Sequence, residues 1–423
     1  MPTPGLLDEI ATRGLVHDST DRGVLGARLD SSPVSVYVGF DPTADSLHVG
    51  HLLGQLMLRR FQLAGHRPFP LAGGATGMVG DPSGRSDERN LLDRDTLAHN
   101  VECIKKQLER ILDFSPGAGG AVLVNNADWT AGITALDFLR DVGKHITVNQ
   151  MMAKESVKNR LSSENGLSYT EFSYMLLQAN DFRHLCAEHG VELQMGGSDQ
   201  WGNITAGIDL IRRTLGRQAH GLTWPLVTKS DGTKFGKTAD GAVWLDPART
   251  SPYQFRQFWV NLPDDDVVRY LPQFSLAPLA ETHDLIARHT AEPGRRAAQR
   301  SLAAEMTQLV HGATAASDAE AAADVLFGGD PTGASRAALE VVASEVPASR
   351  VTRADLDDVF GLLARSGVVS STSEARRAVE QKGIRVNGHV LGAGETLAVG
   401  GLLHDRWVLV RRGKTTYHLL DLA

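Results

Sequence analysis

Cysteine is nearly absent: the 423 residues hold Cys103 and Cys186, far apart and without a Cys-x-x-Cys pair. A disulfide framework or a cysteine-based zinc site is therefore not expected, and a reducing cytoplasm fits. No apolar run approaches the ~18 residues of a membrane-spanning helix, so no membrane partner is expected. The N-terminus, Met1-Pro2-Thr3-Pro4-Gly5-Leu6-Leu7-Asp8-Glu9, lacks the basic-then-apolar order of a secretory signal. Basic residues are also in deficit, 43 against 50 acidic for a net charge of −7, which argues against an indiscriminate nucleic-acid coat. The deficit is uneven, however. Residues 350–423 carry 11 basic and 8 acidic side chains, leaving 32 basic and 42 acidic elsewhere.

The length points to two or three domains. Ser35–Phe40 reads as a buried strand ending in the Asp41-Pro42 turn, and Leu47, Leu52, Leu53, Leu56 and Phe61 form a helical stripe reaching about Ala64. Phe69–Ala72 is a second strand entering the glycine-rich segment Gly73–Gly77, and Ala121–Val124 and Val191–Met195 are two more. Helices are expected near 95–112, 171–187 and 202–215. Alternation of this kind predicts an α/β fold with a mostly parallel sheet and ligands at the carboxyl ends of its strands. Residues 251–327 read as helical and 328–350 as a linker rich in Ala, Gly and Ser. The tail reads as α+β, with a helix over Ser373–Lys382 and a strand over Ile384–Gly388 leading into a turn.

Two short motifs make chemical sense together. Asp45 or Ser46 can cap a helix that carries His48 in its first turn and His51 on the same face, where free N–H groups favour phosphate. Gly50 lets a flat ring approach the backbone. Far downstream, Lys234-Phe235-Gly236-Lys237-Thr238 offers two ammonium groups on a loop. It is not a Walker A element, since position 231 is aspartate where that motif requires glycine. Taken singly, the histidines could be a surface pair and the lysines a solvated turn. A histidine metal site would need a third ligand at defined spacing, and none is evident, so no metal site is expected.

His48-Val49-Gly50-His51 and Lys234–Thr238 resemble the HIGH and KMSKS signatures of class I aminoacyl-tRNA synthetases. Tyr37–Thr43, Gly73–Gly84, Thr170–Tyr174 and Gly196–Asn203 match, in order, the pattern of the bacterial-type tyrosyl-tRNA synthetases. The resemblance spans essentially the whole chain. It implies a Rossmann-like parallel-sheet catalytic domain over 1–238, an α-helical anticodon-side domain over 239–327, and an S4-like RNA-binding domain over 351–423. It also implies a tyrosine–tRNA ligase activity on L-tyrosine, ATP with Mg2+ and tRNA(Tyr), without a tightly bound cofactor, and a homodimer joined around 128–152.

Residue by residue, the resemblance implies that Tyr37 and Asp181 meet the phenolic hydroxyl of tyrosine. Asp81, Tyr174 and Gln178 then surround its ammonium, Gln200 lies near its carboxylate, and Asp41 belongs to the same pocket. Thr43, His48, Lys234, Lys237 and Thr238 would stabilise the phosphates with Arg85, while Gly50 and His51 seat the nucleoside and Asp199 the ribose. In the tail, Ser371–Gly388 is similar to an S4 element and offers Arg376, Arg377, Lys382 and Arg385 to RNA; an ordinary charged helix is the plain alternative. Three rival readings remain at this point: a nucleotidylyltransferase, a tryptophanyl-type synthetase, and a non-catalytic RNA-binding derivative. Arg28-Leu29-Asp30 imitates a pseudouridine-synthase tripeptide, but the domain order is the reverse of that family's usual one.

Overall fold

The computed structural model describes residues 3, 5–83, 92–162, 166–228, 230, 235–238 and 241–422, with backbone alone for Glu155, Ser156, Asn159, Lys237 and Thr238. Strands β1 (Ser35–Phe40), β2 (Arg67–Ala72), β3 (Val124–Asn125), β4 (Val191–Gly197) and β5 (His220–Trp224) form one parallel sheet in the order β3-β2-β1-β4-β5. Their residues are almost all buried, as expected of strands covered on both faces. The helices Val49–Leu63, Arg94–Ile111, Tyr169–His189 and Trp201–Leu215 supply the cover. Gly190 and Gly216 end the last two in the left-handed conformation that favours glycine at that position. A core of Tyr37, Phe69, Leu71, Phe182, Leu185, Val191 and Ile211 fills one side. Chain order reverses between β1 and β4, and that reversal opens a crevice at the strands' carboxyl ends.

Packing divides the chain into two units, 1–250 with 258–310 and 251–257 with 311–423. This cuts the chain differently from the expected boundaries at 238, 327 and 350. Helices Asp264–Phe274 and Leu279–Ala291 belong to the first unit. Two buried arginines bind the carbonyls at the C-terminal end of Asp264–Phe274. Arg13 donates to Pro272, Ser275 and Ala277 at 3.1, 3.2 and 2.7 Å, and Arg60 to Gln273 and Ser275 at 2.9 and 2.6 Å. Carbonyls left over at a helix end favour such cations. Burial, followed by the neighbouring Arg13, pushes Arg60 down to about 9.

A short antiparallel ribbon, β6 (Lys237–Thr238) with β7 (Gly241–Ala242), precedes this helical part. In the second unit β8 (Ala348–Arg350), β9 (Ile384–Val386), β10 (His389–Val390), β11 (Trp407–Arg412) and β12 (Thr416–Asp421) form a mixed sheet in the order β10-β9-β11-β12-β8. Alternation along β11 decides its two faces. Val408 and Val410 join Leu356, Leu363, Ile384 and Leu420 on one, whereas Trp407 and Leu409 join Ala322, Leu339, Val342 and Leu419 on the other. Leu339 and Val342 lie on helix Arg336–Glu345, and β8 pairs in parallel with β12. The 328–350 segment is therefore an ordered part of this unit rather than a linker, because its sparse apolar residues complete a sheet face. The strand expected over Ile384–Gly388 stops at Val386, and the turn falls on Asn387-Gly388, with φ of 49° and 85°.

Candidate active site

The crevice between β1 and β4 encloses about 310 Å³ and is lined by Tyr37, Asp41, Thr43, His48, Gly50, His51, Asp81, Tyr174, Gln178, Asp181, Asp199 and Gln200, among others. Twelve positions chosen from sequence thus converge on one cleft. Arg85 and Lys234 lie outside the described residues, and Lys237 and Thr238 are described by backbone only.

At its floor, Tyr37 is 1 % exposed and its hydroxyl has no partner among the described groups. Burial first, and Asp181 second, push that phenol well above its ordinary range, so it stays protonated. Asp181 accepts from Asn126 Nδ2 and Trp129 Nε1, both at 2.9 Å. Burial pushes its carboxyl up to about 7, Asp41 adds to the rise, and the two hydrogen bonds oppose it. Next along the cleft, the Tyr174 hydroxyl donates to Asp41 Oδ2 at 3.0 Å, and Thr76 donates to Asp41 Oδ1 at 2.9 Å. Asp41 therefore acts by fixing the Tyr174 hydroxyl. Gln200 Nε2 donates to Asp81 Oδ2 at 2.7 Å, and Gln178 Nε2 to Gln200 Oε1 at 3.2 Å. Burial and the nearby Asp81 raise Asp199.

At the opposite wall, helix Val49–Leu63 starts differently from expectation. His48 is its N-cap: Nδ1 accepts from Gly50 N at 3.0 Å, while His51 Nδ1 accepts from His48 N at 3.3 Å. The histidines thus satisfy the first-turn donors themselves, with ring centroids 4.0 Å apart. Asp45 instead pairs with Arg249, and Ser46 Oγ receives Gln107 Nε2 at 3.0 Å and Asp246 N at 3.1 Å. A Cβ on Gly50 would lie 2.7 Å from His48 Cε1, so glycine is required there by the imidazole as well.

The two signatures meet. Val49 N donates to Val243 O at 2.9 Å and Leu245 N to Leu47 O at 2.8 Å, so the strand after the second signature runs beside the first. Gly236 has φ of 77°, and a Cβ there would come within 2.4 Å of Val49 Cγ2. Phe235 is buried against Phe258, Trp259, Tyr270 and Phe274, with centroids 4.9 to 5.7 Å apart. Upstream, Thr228 O accepts from Tyr270 Oη at 2.6 Å, and Ser230 N donates to Asp266 Oδ1 at 3.0 Å.

A family described as "tRNA synthetases class I (W and Y)" matches residues 29–328, and a "Tyrosine--tRNA ligase SYY-like C-terminal domain" matches 338–420. The chain is 50% identical to a tyrosine–tRNA ligase of Roseiflexus castenholzii over 99% of both chains. It is 51% identical to that of Opitutus terrae, over 99% of this chain and 100% of the relative. The chain belongs to the tyrosine–tRNA ligase family. Among solved structures, a C-terminally truncated mitochondrial tyrosyl-tRNA synthetase of Aspergillus nidulans superposes with a TM-score of 0.69 at 33% identity, covering 76% of this chain and 94% of that one. A tyrosyl-tRNA synthetase of Archaeoglobus fulgidus, at 17% identity and a TM-score of 0.54 over 74% of this chain and 99% of that one, shares the fold.

Within this family framework the rival readings separate. The C-terminal match over 338–420 leaves no place for a bare nucleotidylyltransferase, and the relatives about half identical over the full chain are tyrosine–tRNA ligases rather than the tryptophanyl type. Arg28 of the decoy tripeptide pairs with Glu192 at the amino end of β4, opposite the cleft, at 2.6 Å. Asn126, Trp129, Thr76, Lys154 and Asn203 escaped the sequence reading as pocket residues. Each bonds another pocket side chain, and only Thr76, within the Gly73–Gly84 match, and Asn203, at the end of Gly196–Asn203, lie in a motif.

In the tail, Arg376, Arg377 and Lys382 are exposed and Arg385 is half-buried. Glu374, on the same helix as Arg376 and Arg377, is tied up by Ser370 and Arg412, whose hydrogen bonds hold its carboxyl down at about 2. The basic side chains are therefore not neutralised by it. Among the described residues, no helix is long and apolar enough to cross a membrane.

If Asp181 meets the substrate hydroxyl, as the family resemblance implies, a pH dependence follows. A substrate hydroxyl donating to it is best served by the carboxylate, which is lost as pH falls through about 7. The kcat/KM for tyrosine is expected to level off above neutrality and to fall about tenfold per pH unit on the acid side. Asp181→Asn should flatten the profile. A wild-type profile with its break near 4 would contradict this assignment.

Proposed function

We propose that the chain activates L-tyrosine with ATP and transfers it to tRNA(Tyr), using the β1–β4 crevice for the first reaction and both units for the second. The observation that carries this reading is the unpartnered, protonated Tyr37 hydroxyl beside the Asp181 carboxyl at the buried floor. A phenol both donates and accepts, and this pair offers one partner of each kind. Tyrosine-specific synthetases are the established example of rejecting phenylalanine by a hydroxyl-bonding site, by about 10⁵-fold; the magnitude belongs to the class rather than to this cleft.

Tyrosine then extends with its ammonium toward Asp81, the Tyr174 hydroxyl oxygen and Gln178 Oε1, which has no partner among the described groups. Its carboxylate, ionised at neutral pH, attacks the α-phosphate of ATP supplied as the magnesium salt. The new carboxylate–phosphorus bond forms as the α–β bridge breaks, giving tyrosyl-adenylate and pyrophosphate. No general base is needed, so rate comes from positioning and from charge stabilisation by His48, Thr43, Lys234, Lys237, Thr238 and Arg85. Gly50, His51 and Asp199 hold the nucleoside. In the second step the terminal adenosine hydroxyl of tRNA attacks the tyrosyl carbonyl and AMP leaves.

Exposed Leu136, Leu139, Val148 and Met152, with Leu136 at 80 % and Val148 at 62 %, support a homodimer contact around 128–152. Arg376, Arg377, Lys382 and Arg385 form the RNA face of the S4-like part, the helices within 239–327 lie on the anticodon side, and the cytoplasm is the compartment that fits. The test is charging: the full chain with ATP and tyrosine should form tyrosyl-tRNA. A double substitution, Arg376→Ala with Arg377→Ala, should raise KM for tRNA about tenfold and leave pyrophosphate exchange unchanged. Unaltered KM would remove these arginines from the RNA face, and failure to charge would overturn the reading.

A further inference from the structure

Lys154 belongs to none of the motifs above, yet its ammonium reaches into the wall of the cleft. Nζ lies 2.7 Å from Asn203 Oδ1 and 3.1 Å from Ser83 Oγ. Its stem runs along Gly202, where a Cβ would meet Lys154 Cγ at 3.0 Å. Burial presses its pKa down, with Asp81 and Asp199 acting in the opposite direction.

An ammonium only donates, so it dictates which way the amide beside it faces. Asn203 must present Oδ1 to Lys154 and turn Nδ2 away, and that nitrogen donates to Gln200 Oε1 at 3.0 Å. The same oxygen receives Gln178 Nε2 at 3.2 Å. Gln200, with its oxygen so occupied, offers Nε2 to Asp81 Oδ2 at 2.7 Å. The chain runs one way, from a group that can only donate to a carboxylate that can only accept. Each link forbids the 180° amide flip that would otherwise be nearly free.

We infer that Lys154 is a positioning residue of the ammonium pocket, fixing the polarity of the Asn203–Gln200–Asp81 chain so that Asp81 and Gln178 Oε1 both present acceptors to the substrate. The inference rests on the reading of Asp81 and Gln178 as partners of the tyrosine ammonium. Without Lys154, Asn203 can reverse and turn Oδ1 toward Gln200 Oε1, while Asp81 still holds Gln200 Nε2. The repulsion between the two oxygens pushes Gln200 Oε1 off Gln178 Nε2, and the Gln178 amide is then free to turn into the space the ammonium needs.

The test compares tyrosine with its desamino analogue, 3-(4-hydroxyphenyl)propionate, by equilibrium binding to the full chain. Lys154→Met, which keeps the stem, should weaken tyrosine at least ~10-fold and leave the desamino analogue within about twofold, since a lost charge-assisted contact is worth that much. Lys154→Gln, which can still bond Ser83 and Asn203 but in either sense, should show a smaller loss of the same selectivity. It also guards against a methionine variant that fails to fold. Equal weakening of both ligands, or unchanged tyrosine binding, overturns the proposal. Asp81→Asn tests the underlying assignment separately: if it leaves tyrosine binding intact, the ammonium pocket itself is misassigned and the proposal falls with it.

Discussion

Lys237→Ala is expected to slow tyrosine-dependent pyrophosphate exchange by about 10²–10³-fold, or about 2.7–4 kcal/mol, the usual cost of removing one fixed donor from a developing oxyanion. The dissociation constant for tyrosine should not change. The tyrosine pocket lies on β1, β4 and helix Tyr169–His189, whereas Lys237 follows Gly236, whose backbone is packed on Val49 beside His48. An interaction made only with the phosphates in the transition state lowers kcat and kcat/KM together. Stopped-flow adenylate formation with separate tyrosine titration checks both halves. Equal losses in rate and tyrosine affinity would remove Lys237 from the phosphate set.

Glu171→Ala should cost about 3–5 kcal/mol of stability, because it breaks a buried, two-pronged ion pair by removing one side of it. Arg160 and Glu171 are each 2 % exposed and form a two-pronged pair at 2.7 and 3.2 Å, with Arg160 also donating to Gly166 O at 3.1 Å. Removing one partner takes away the group that faces the other's buried charge, whereas removing both takes away both charges. The double variant Arg160→Met with Glu171→Leu should therefore recover most of the loss in urea unfolding. A Glu171→Ala midpoint equal to wild type would contradict the pairing. Glu171 lies in the first turn of the helix that carries Tyr174, Gln178 and Asp181, so this pair also sets where the tyrosine pocket begins.

Much of the fold could be read in advance where the pattern was periodic. Helices expected near 95–112, 171–187 and 202–215 are found at Arg94–Ile111, Tyr169–His189 and Trp201–Leu215. Strand β5 was missed. Its sequence, His220-Gly221-Leu222-Thr223-Trp224, includes a glycine that lowers strand propensity, and that glycine is there because a Cβ would lie 2.5 Å from Ile204 Cγ2. Close approach of helix and sheet overrode propensity. The 328–350 segment misled for the opposite reason: its composition resembles a linker, but spaced Leu339 and Val342 suffice to cover a sheet face that is itself contributed from far along the chain.

For the cleft, residues inside motifs were legible and their supports were not. His48 as its own helix cap escaped notice because a histidine is an unusual cap, and the conventional candidates Asp45 and Ser46 stand just before it. Asn126, Trp129 and Lys154 act on Asp181 or Asn203 across 49 to 55 positions of sequence, and no local spacing betrays such pairs.

The central claim is that the β1–β4 crevice selects tyrosine for activation. Pyrophosphate exchange by the full chain with ATP and, in turn, tyrosine, phenylalanine and tryptophan tests it most directly. The predicted result is exchange with tyrosine alone at micromolar to millimolar amino acid, with phenylalanine rejected by several orders of magnitude. Exchange that proceeds equally well with phenylalanine or tryptophan, or without any amino acid, would contradict it.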